Sequence, residues 1–493
     1  MSLSRTHSPP VQGASLDPEN WESFRGTAHE MLDDILNHVM TIADQPVWQP
    51  APDAAKAQIR SAPPHEAAGI AATYDNFKQA ILPYGSGNIH PGFMGWVQGG
   101  GTPAGLLGEM LAAGMNPNLG GRDHMPIEVE RQILRWMRAV FQFPETAGGL
   151  FLTGASQANF VALLIARTRA LGRDGRHTGL AARPQLTGYG SVETHGCVAR
   201  AFEMSGLGSD AFRRIPADAV GQIDLTALTA RIDADIAAGH KPFLLVGSAG
   251  TVNTGAVDDL CAMADIAARY HLHFHVDGAL GALAVLDETL APIFSGMDRA
   301  DSIAFDFHKW GQVPYDAGYL MVRHESWQVD TFASPAAYLT RAETGLAGGE
   351  WWPCDTGPDL SRGFRALKTW FTLKTYGLDA IGRAIANSCV LARYLADRVG
   401  DEPHLRALAP TRLNVVCFGY VGPDGAAPVE LNRMIVEALH IEGRVAPSLT
   451  TIDGRPAIRA CLVNHRTTAA DIDALITHTL AIGDRLYLAG GRA

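Results

Sequence analysis

The chain reads as an α/β protein built on a mainly parallel sheet, and three observations predict it. Short apolar runs of strand type recur at 150–152, 185–191, 243–247, 272–276, 302–305 and 318–322. Stretches with helical spacing at 158–171, 196–204 and 260–270 fall between them, and strands that alternate with helices lie parallel because each helix carries the chain back across a sheet face. Residues that carry chemistry stand just past several strand ends, where open sheets of this kind place their reactive groups. With 493 residues, 47% hydrophobic and 18% charged, the chain is globular rather than disordered and long enough for more than one lobe.

A net charge of −11 without any long Lys/Arg run argues against a nucleic-acid partner. Cys197, Cys261, Cys354, Cys389, Cys417 and Cys461 are far apart and form no CxxC pair. That pattern suits reduced thiols in a cytoplasmic enzyme and not a zinc site or disulfide framework. Residues 1–20 are polar and Pro-rich, and no apolar window is long enough to span a bilayer, so the expectation is an unexported protein with no membrane partner.

In chain order, Trp21, Phe24, Ala28, Met31, Leu32, Ile35 and Val39 recur at helical spacing across 18–42. A second helical stretch, 54–81, is interrupted at Pro63 and Pro64. Neither closes a core alone. His90-Pro91 and the Gly99–Gly101 triplet mark loops, Thr102 or Pro103 opens a helix, and 116–124 links it to the helix 127–143. Small residues at 153–157 follow the strand 150–152, and a helix start of that kind leaves backbone N–H groups free for an anion or simply serves as a cap. His195 opens the helix 196–204. His271, His273 and His275 alternate with apolar residues, but one strand face rarely supplies a complete metal site, so no metal is expected. Asp277 ends that strand. The run ADSIAFDFHKW at 300–310 delivers His308 and Lys309 just past a strand. Bulky apolar and aromatic neighbours strip hydration from a lysine and lower its pKa, and the neutral amine then attacks a carbonyl. A polar, Gly-rich stretch at 330–350 has the length of an active-site lid. Strands at 413–420 and 457–464 with helices at 429–439 and 469–482 follow.

These motifs resemble the pyridoxal-phosphate (PLP) dependent group II amino-acid decarboxylases, the family of aromatic-L-amino-acid, histidine and glutamate decarboxylases. The AlaAspSer lead-in with HisLysTrp, the segment TGYGSVETHGCVARA, the turn at 153–157, HVDGALGA and DLSRGFRALKTWFTLKTYG carry the likeness from His90 onward. Phe307 stands where most members have Pro, Gln157 where they have Glu, and Val252 where many have Thr. The resemblance implies a PLP-dependent transferase fold of type I: an N-terminal helical segment, 1–85, packed on a partner subunit, a large PLP-binding α/β domain, 86–375, and a small α+β domain, 376–493.

It also implies roles. Lys309 is the cofactor lysine and His308 its neighbour. Ala155 and Ser156 meet the phosphate, and His195 stacks on the pyridine ring. Asp277, 32 residues before Lys309, holds the ring nitrogen with Ala279 beneath the ring, and Thr251 faces the cofactor. Tyr338, in the lid segment SPAAYL, donates a proton to Cα; relatives with Phe there tend to make aldehydes. Phe93, Trp96 and Arg122 line the substrate pocket, and Arg459 pairs with the substrate α-carboxylate, with a structural salt bridge as its competing role. The expectation is an L-amino-acid decarboxylase, a homodimer with its sites at the interface. Phe93 and Trp96 favour an aromatic substrate, and Arg122 keeps glutamate or aspartate in contention. Aldehyde synthesis is a rival reaction, and a catalytically silent binding protein on the same fold is the non-enzyme alternative.

Overall fold

The computed structural model describes residues 15–490, apart from 182, 335–340, 350 and 427. The described residues divide into two units, 15–44 with 49–85, and 45–48 with 86–490. In the first, Asn20 caps the helix Trp21–Met40 by accepting from Ser23 N at 3.0 Å. The helix Ile70–Ala80 is tied to it by Tyr74, whose hydroxyl donates to Asp34 Oδ2 at 2.7 Å, and by Lys78, 3.1 Å from Glu30 Oε1. The stretch around Pro63 and Pro64 is not helical, and the short helix Asp53–Ile59 ends before it.

The second unit holds twelve strands among its described residues: β1 Phe93–Met94, β2 Gly148–Leu152, β3 Leu186–Ser191, β4 Phe212–Ile215, β5 Lys241–Ser248, β6 His273–Asp277, β7 Ser302–Asp306, β8 Gly318–Val322, β9 Leu405–Ala407, β10 Val415–Tyr420, β11 Ala446–Ile452 and β12 Arg455–Cys461. Seven form one sheet in the order β2-β8-β7-β6-β5-β3-β4. The neighbours from β7 to β4 pair in parallel, while β8 runs antiparallel between β2 and β7. Strands β2, β3, β6, β7 and β8 are buried along their whole length, which is why they read as continuous apolar runs. The four-residue β4 and the helix Leu225–Ala237 are additions to the sequence reading. Arg213 and Arg214 occupy the middle of β4 and hide its apolar pattern.

Two differences from the sequence reading have simple causes. The helix after β2 is Ala155–Leu171, three residues longer at its start than expected, because Gly154 serves as N-cap. Gly318 opens β8 where a Cβ would lie 2.3 Å from Gly154 Cα, so β8 can pass this turn only with glycine there. The segment 359–377 yields a helix Arg365–Tyr376 that stops at Gly377, whose φ of 78° lies in the left-handed region, and a second helix, Leu378–Asp401, starts at once.

The other five strands form a small sheet in the order β1-β11-β12-β10-β9. Its apolar face packs with the helices Leu378–Asp401, Leu431–Glu442 and Ala469–Gly490 in a core centred on Phe418, Ile435, Ile458 and Leu475. Strand β1, far upstream in sequence, joins this sheet by pairing Phe93 with Ala446. Among the described residues no helix is long and apolar enough to cross a membrane, and the six cysteines are free thiols.

Candidate active site

Parallel pairing sets Asp277 against Ala304, so β6 and β7 end side by side at one sheet edge. Lys309 lies three residues beyond β7. Its Nζ sits 2.8 Å from Asp306 Oδ2, and Asp306 Oδ1 accepts from Ala155 N at 2.8 Å. The buried Asp306 thus ties the lysine turn to the helix start. This corrects the expectation of a lowered lysine pKa. Burial is the largest single influence on Lys309 and does pull downward, but the charge and hydrogen bond of Asp306 and the charge of Asp277 together raise it above the ordinary value. Asp306 thus gives the Lys309 side chain a carboxylate partner at 2.8 Å. His308 accepts from Ala317 N at Nδ1, 3.0 Å, and its ring lies 4.2 Å from that of Tyr315. Burial lowers its pKa. Gly99 N donates to His308 O at 3.2 Å, and a Cβ on Gly99 would come within 2.5 Å of the His308 and Lys309 carbonyls. The glycine triplet is the backing of the lysine turn.

Asp277 Oδ2 accepts from Asn159 Nδ2 at 3.0 Å, and Oδ1 from Ala279 N at 3.2 Å. Above it, the helix Ala155–Leu171 begins without a side-chain cap at Gly154. His195 is the N-cap of the helix Gly196–Met204, and its Nδ1 accepts from Cys197 N at 3.2 Å. A neutral ring then carries its proton on Nε2. Thr251 is buried, its Oγ1 accepting from Ala256 N at 3.1 Å.

The small sheet contributes Arg459 from β12. Its Nε donates to Asn253 O at 3.2 Å, and its Nη1 to Trp96 O at 2.8 Å and Ser448 Oγ at 3.2 Å. Nη2, equally buried, has no hydrogen-bond partner among the described residues. Trp96, at a φ of 48°, is 55% exposed, so its indole is open to a ligand.

One cavity of about 480 Å³ is lined by Trp96, Ala155, Ser156, His195, Thr251, Asp277, Ala279, His308, Lys309 and Arg459 together. Phe93 does not line it: the side chain is buried and stacks on Trp96 from behind, with ring centroids 6.1 Å apart. Nor does Arg122, whose left-handed backbone, φ 93°, goes with a guanidinium laid over Trp352 at 4.5 Å. Tyr338 lies outside the described residues. Sequence reasoning missed Asn159, Asp306 and Tyr315, which also line the cavity. Asp306 carried a signal, a carboxylate three residues before the lysine at a strand end; Asn159, inside an apolar helix, and Tyr315, in a loop, carried none.

A family model described as the pyridoxal-dependent decarboxylase conserved domain matches residues 52–421, roughly three quarters of the chain. The chain belongs to the pyridoxal-dependent decarboxylase family. The aromatic-L-amino-acid decarboxylase of Bacillus atrophaeus is 29% identical to it over 477 residues, covering 95% of this chain and 97% of that one. The phenylacetaldehyde synthase of Arabidopsis thaliana is 27% identical over 464 residues, covering 91% and 94%. The crystal structure of Oryza sativa TDC with PLP and tryptamine superposes with a TM-score of 0.88 at 25% identity, over 95% of this chain and 99% of that one. The fold is that of the type I PLP enzymes. For a pyridoxal-dependent decarboxylase the donor set is chemically apt. An uncapped helix start suits a phosphate, a buried carboxylate suits a ring nitrogen, and a lysine at the adjoining strand end suits the carbonyl.

Proposed function

We propose that this pyridoxal-dependent decarboxylase acts on an aromatic L-amino acid, releasing CO₂ and the amine. The observation that carries it is the buried Arg459, whose Nη2 has no hydrogen-bond partner among the described residues, in the cavity that also holds Lys309 and Asp277. An unsatisfied buried guanidinium nitrogen is costly unless a ligand completes it, and an α-carboxylate is the ligand every L-amino acid offers. Support for an aromatic side chain comes from the exposed Trp96 indole and from charge. Among the described cavity residues the Lys and Arg side chains are Lys309 and Arg459 alone. With Arg122 on Trp352, no second arginine among the described residues lines the cavity to meet an acidic side chain.

When bound, PLP supplies an electron sink for the pair left on Cα as the carboxyl group departs. The chain's residues hold and orient. Lys309 presents the amine that anchors the cofactor, and Asp277 presents a carboxylate that keeps a proton on the ring nitrogen. Ser156 and the helix start beside Ala155 take the phosphate. Ala279, His195, Thr251 and His308, which line the same cavity, would hold the ring. Arg459 would hold the α-carboxylate, and Tyr338 would be the residue that supplies a proton to Cα. We place the enzyme in the cytoplasm as a homodimer whose N-terminal helices, with Trp21 and Met40 exposed, cover the partner; sedimentation at the mass of one chain would rule the dimer out. The test of function is a panel of L-amino acids with PLP-loaded protein, following CO₂, amine and aldehyde together. Equal yields of CO₂ and an aromatic amine are expected. Turnover of glutamate or aspartate in preference would overturn the substrate class, and aldehyde in place of amine would overturn the reaction.

A further inference from the structure

Strand β6 carries two buried histidines, His273 and His275, that the reaction above leaves without a task. They share a strand face with Asp277, since alternate residues of a strand point the same way. Six side chains link end to end along that face. Arg169 Nη1 lies 2.7 Å from His273 Nδ1, and His273 Nε2 lies 2.7 Å from Ser302 Oγ. Ser302 Oγ is 2.8 Å from His275 Nδ1, and His275 Nε2 is 2.7 Å from Asn159 Oδ1. Asn159 Nδ2 reaches Asp277 Oδ2 at 3.0 Å, with Cys197 Sγ 3.2 Å away. Matching lengths allow it: the helix Ala155–Leu171 rises about 15 Å from Asn159 to Arg169, and β6 rises about 13 Å from His273 to Asp277.

Every bond in this chain has one possible direction. Arg169 can only donate, and the Asp277 carboxylate can only accept. His273 Nδ1 is therefore bare and its Nε2 carries the proton. Ser302 accepts from His273 and donates to His275 Nδ1, and His275 Nε2–H donates to Asn159 Oδ1. That leaves the amide nitrogen of Asn159 for Asp277. A proton added to His273 Nδ1 would face the Arg169 guanidinium donor, and one added to His275 Nδ1 would turn the Ser302 hydroxyl away and break the one-way order. Burial also opposes it: His273 is held well below the ordinary histidine value, helped by the Arg169 charge, and His275 is lowered to about 3 by burial and by His273, against the pull of Asp277. Arg169 is fixed at the far end by Trp327, 3.5 Å from guanidinium to ring centroid, and by Asp301 at 3.2 Å; Lys241 and His271 share the surface cleft there.

We propose that Arg169, His273, Ser302, His275 and Asn159 form a one-way hydrogen-bond chain that positions Asp277 and keeps the proton it shares with the cofactor on the ring nitrogen. The proposal rests on the reading of Asp277 given above. Aligned hydrogen bonds polarise one another, and donors aimed at a carboxylate make it a poorer proton acceptor, so the shared proton stays on the ring. All five are positioning residues.

The test has two arms. In the full chain without cofactor, ¹⁵N NMR of labelled histidine should show His273 and His275 neutral, with N–H at Nε2 and a bare Nδ1; any other tautomer, or a charged ring, overturns the chain. In protein loaded with ring-¹⁵N PLP, Arg169→Met should move the ring-nitrogen signal toward its unprotonated position. It should also lower kcat about fivefold, the worth of one hydrogen bond, with little change in KM, and Arg169→Lys should restore both. Arg169 is partly exposed and its loss is tolerable for folding, whereas Ser302→Ala, at a fully buried position, is a second variant expected to act alike. An unmoved ring signal in Arg169→Met, or Arg169→Lys no better than Arg169→Met, overturns the proposal. If wild-type protein takes up no PLP, the reading of Asp277 fails, while the histidine tautomers still decide the chain.

Discussion

The floor and the rim of the cavity are built differently. The floor comes from two adjacent strand ends and one helix start: Asp277, Asp306, Lys309 and Ala155 are locked by bonds of 2.8–3.2 Å among themselves and their neighbours. The rim comes from pieces distant in sequence, Trp96 beside β1 and Arg459 on β12, joined through one carbonyl contact of 2.8 Å. A sheet edge fixes the bond-breaking chemistry because its geometry cannot drift. On the function proposed above, the rim is where the choice of amino acid would be set, because its parts can be exchanged without disturbing that edge.

Breaking the floor should have the largest effect. Lys309→Ala removes the anchor and leaves Asp306 buried without its cation, so both turnover and the visible absorption of lysine-bound cofactor should fall to background. An unchanged spectrum would put the anchor elsewhere. Next comes the rim's charge. Arg459→Met should cost about ten- to a hundredfold in kcat/KM, the range for hydrogen bonds to a charged group, while inhibition by the amine product, which has no carboxylate, stays near wild type. Equal losses for substrate and product would mean that Arg459 only braces Trp96 and Asn253. Arg459→Lys should recover little, since an ammonium cannot reproduce the fork.

The same contrast explains what could be read in the sequence. Asp277 and Lys309 were legible because strand alternation and one strand-helix-strand interval place them by local rules. The small-residue turn before Ala155 was legible for the same reason, although its helix starts earlier than periodicity suggests. Asp306 was missed: the carboxylate is visible three residues before the lysine, but its position relative to the amine is not, and that position reverses the sign of the Lys309 shift. Arg122 and Phe93 depended on which way a loop and a two-residue strand turn, and their directions come from Trp352 and Ala446, hundreds of residues away. Three alternating histidines invited a metal reading, yet His271 is the left-handed C-cap of the preceding helix and the other two are spent on Ser302 and Asn159.

A smaller effect is expected from the rim's aromatic surface. Trp96→Ala should lower kcat/KM about three- to tenfold for an aromatic amino acid, as for the loss of one aromatic pair, and leave a small aliphatic one nearly untouched. A uniform loss across both would assign Trp96 to the support of Arg459 through its carbonyl rather than to the side-chain pocket.

Stability rather than turnover probes the seam between the two regions, where the triplet 464–466 clamps the glycine turn behind Lys309. Asn464 donates to Asn88 O and His90 O, each at 3.0 Å, and Arg466 donates to Gly100 O at 3.0 Å and Gly101 O at 3.2 Å. Between them His465 Nδ1 meets Gln312 Oε1 at 3.1 Å. Burial, helped by the Arg466 charge, lowers the His465 pKa from 6.5 to about 4. A histidine whose folded pKa is depressed is neutral when folded, so it contributes stability above pH 6.5 that is lost as pH falls toward 4. The slope from one such proton is at most about 1.4 kcal/mol per pH unit. Urea midpoints measured across that window should fall more steeply for wild type than for His465→Gln, with His273 and His275 supplying the slope that remains. Parallel curves would mean that His465 is solvated in the folded chain and that the seam is held by Asn464 and Arg466 alone.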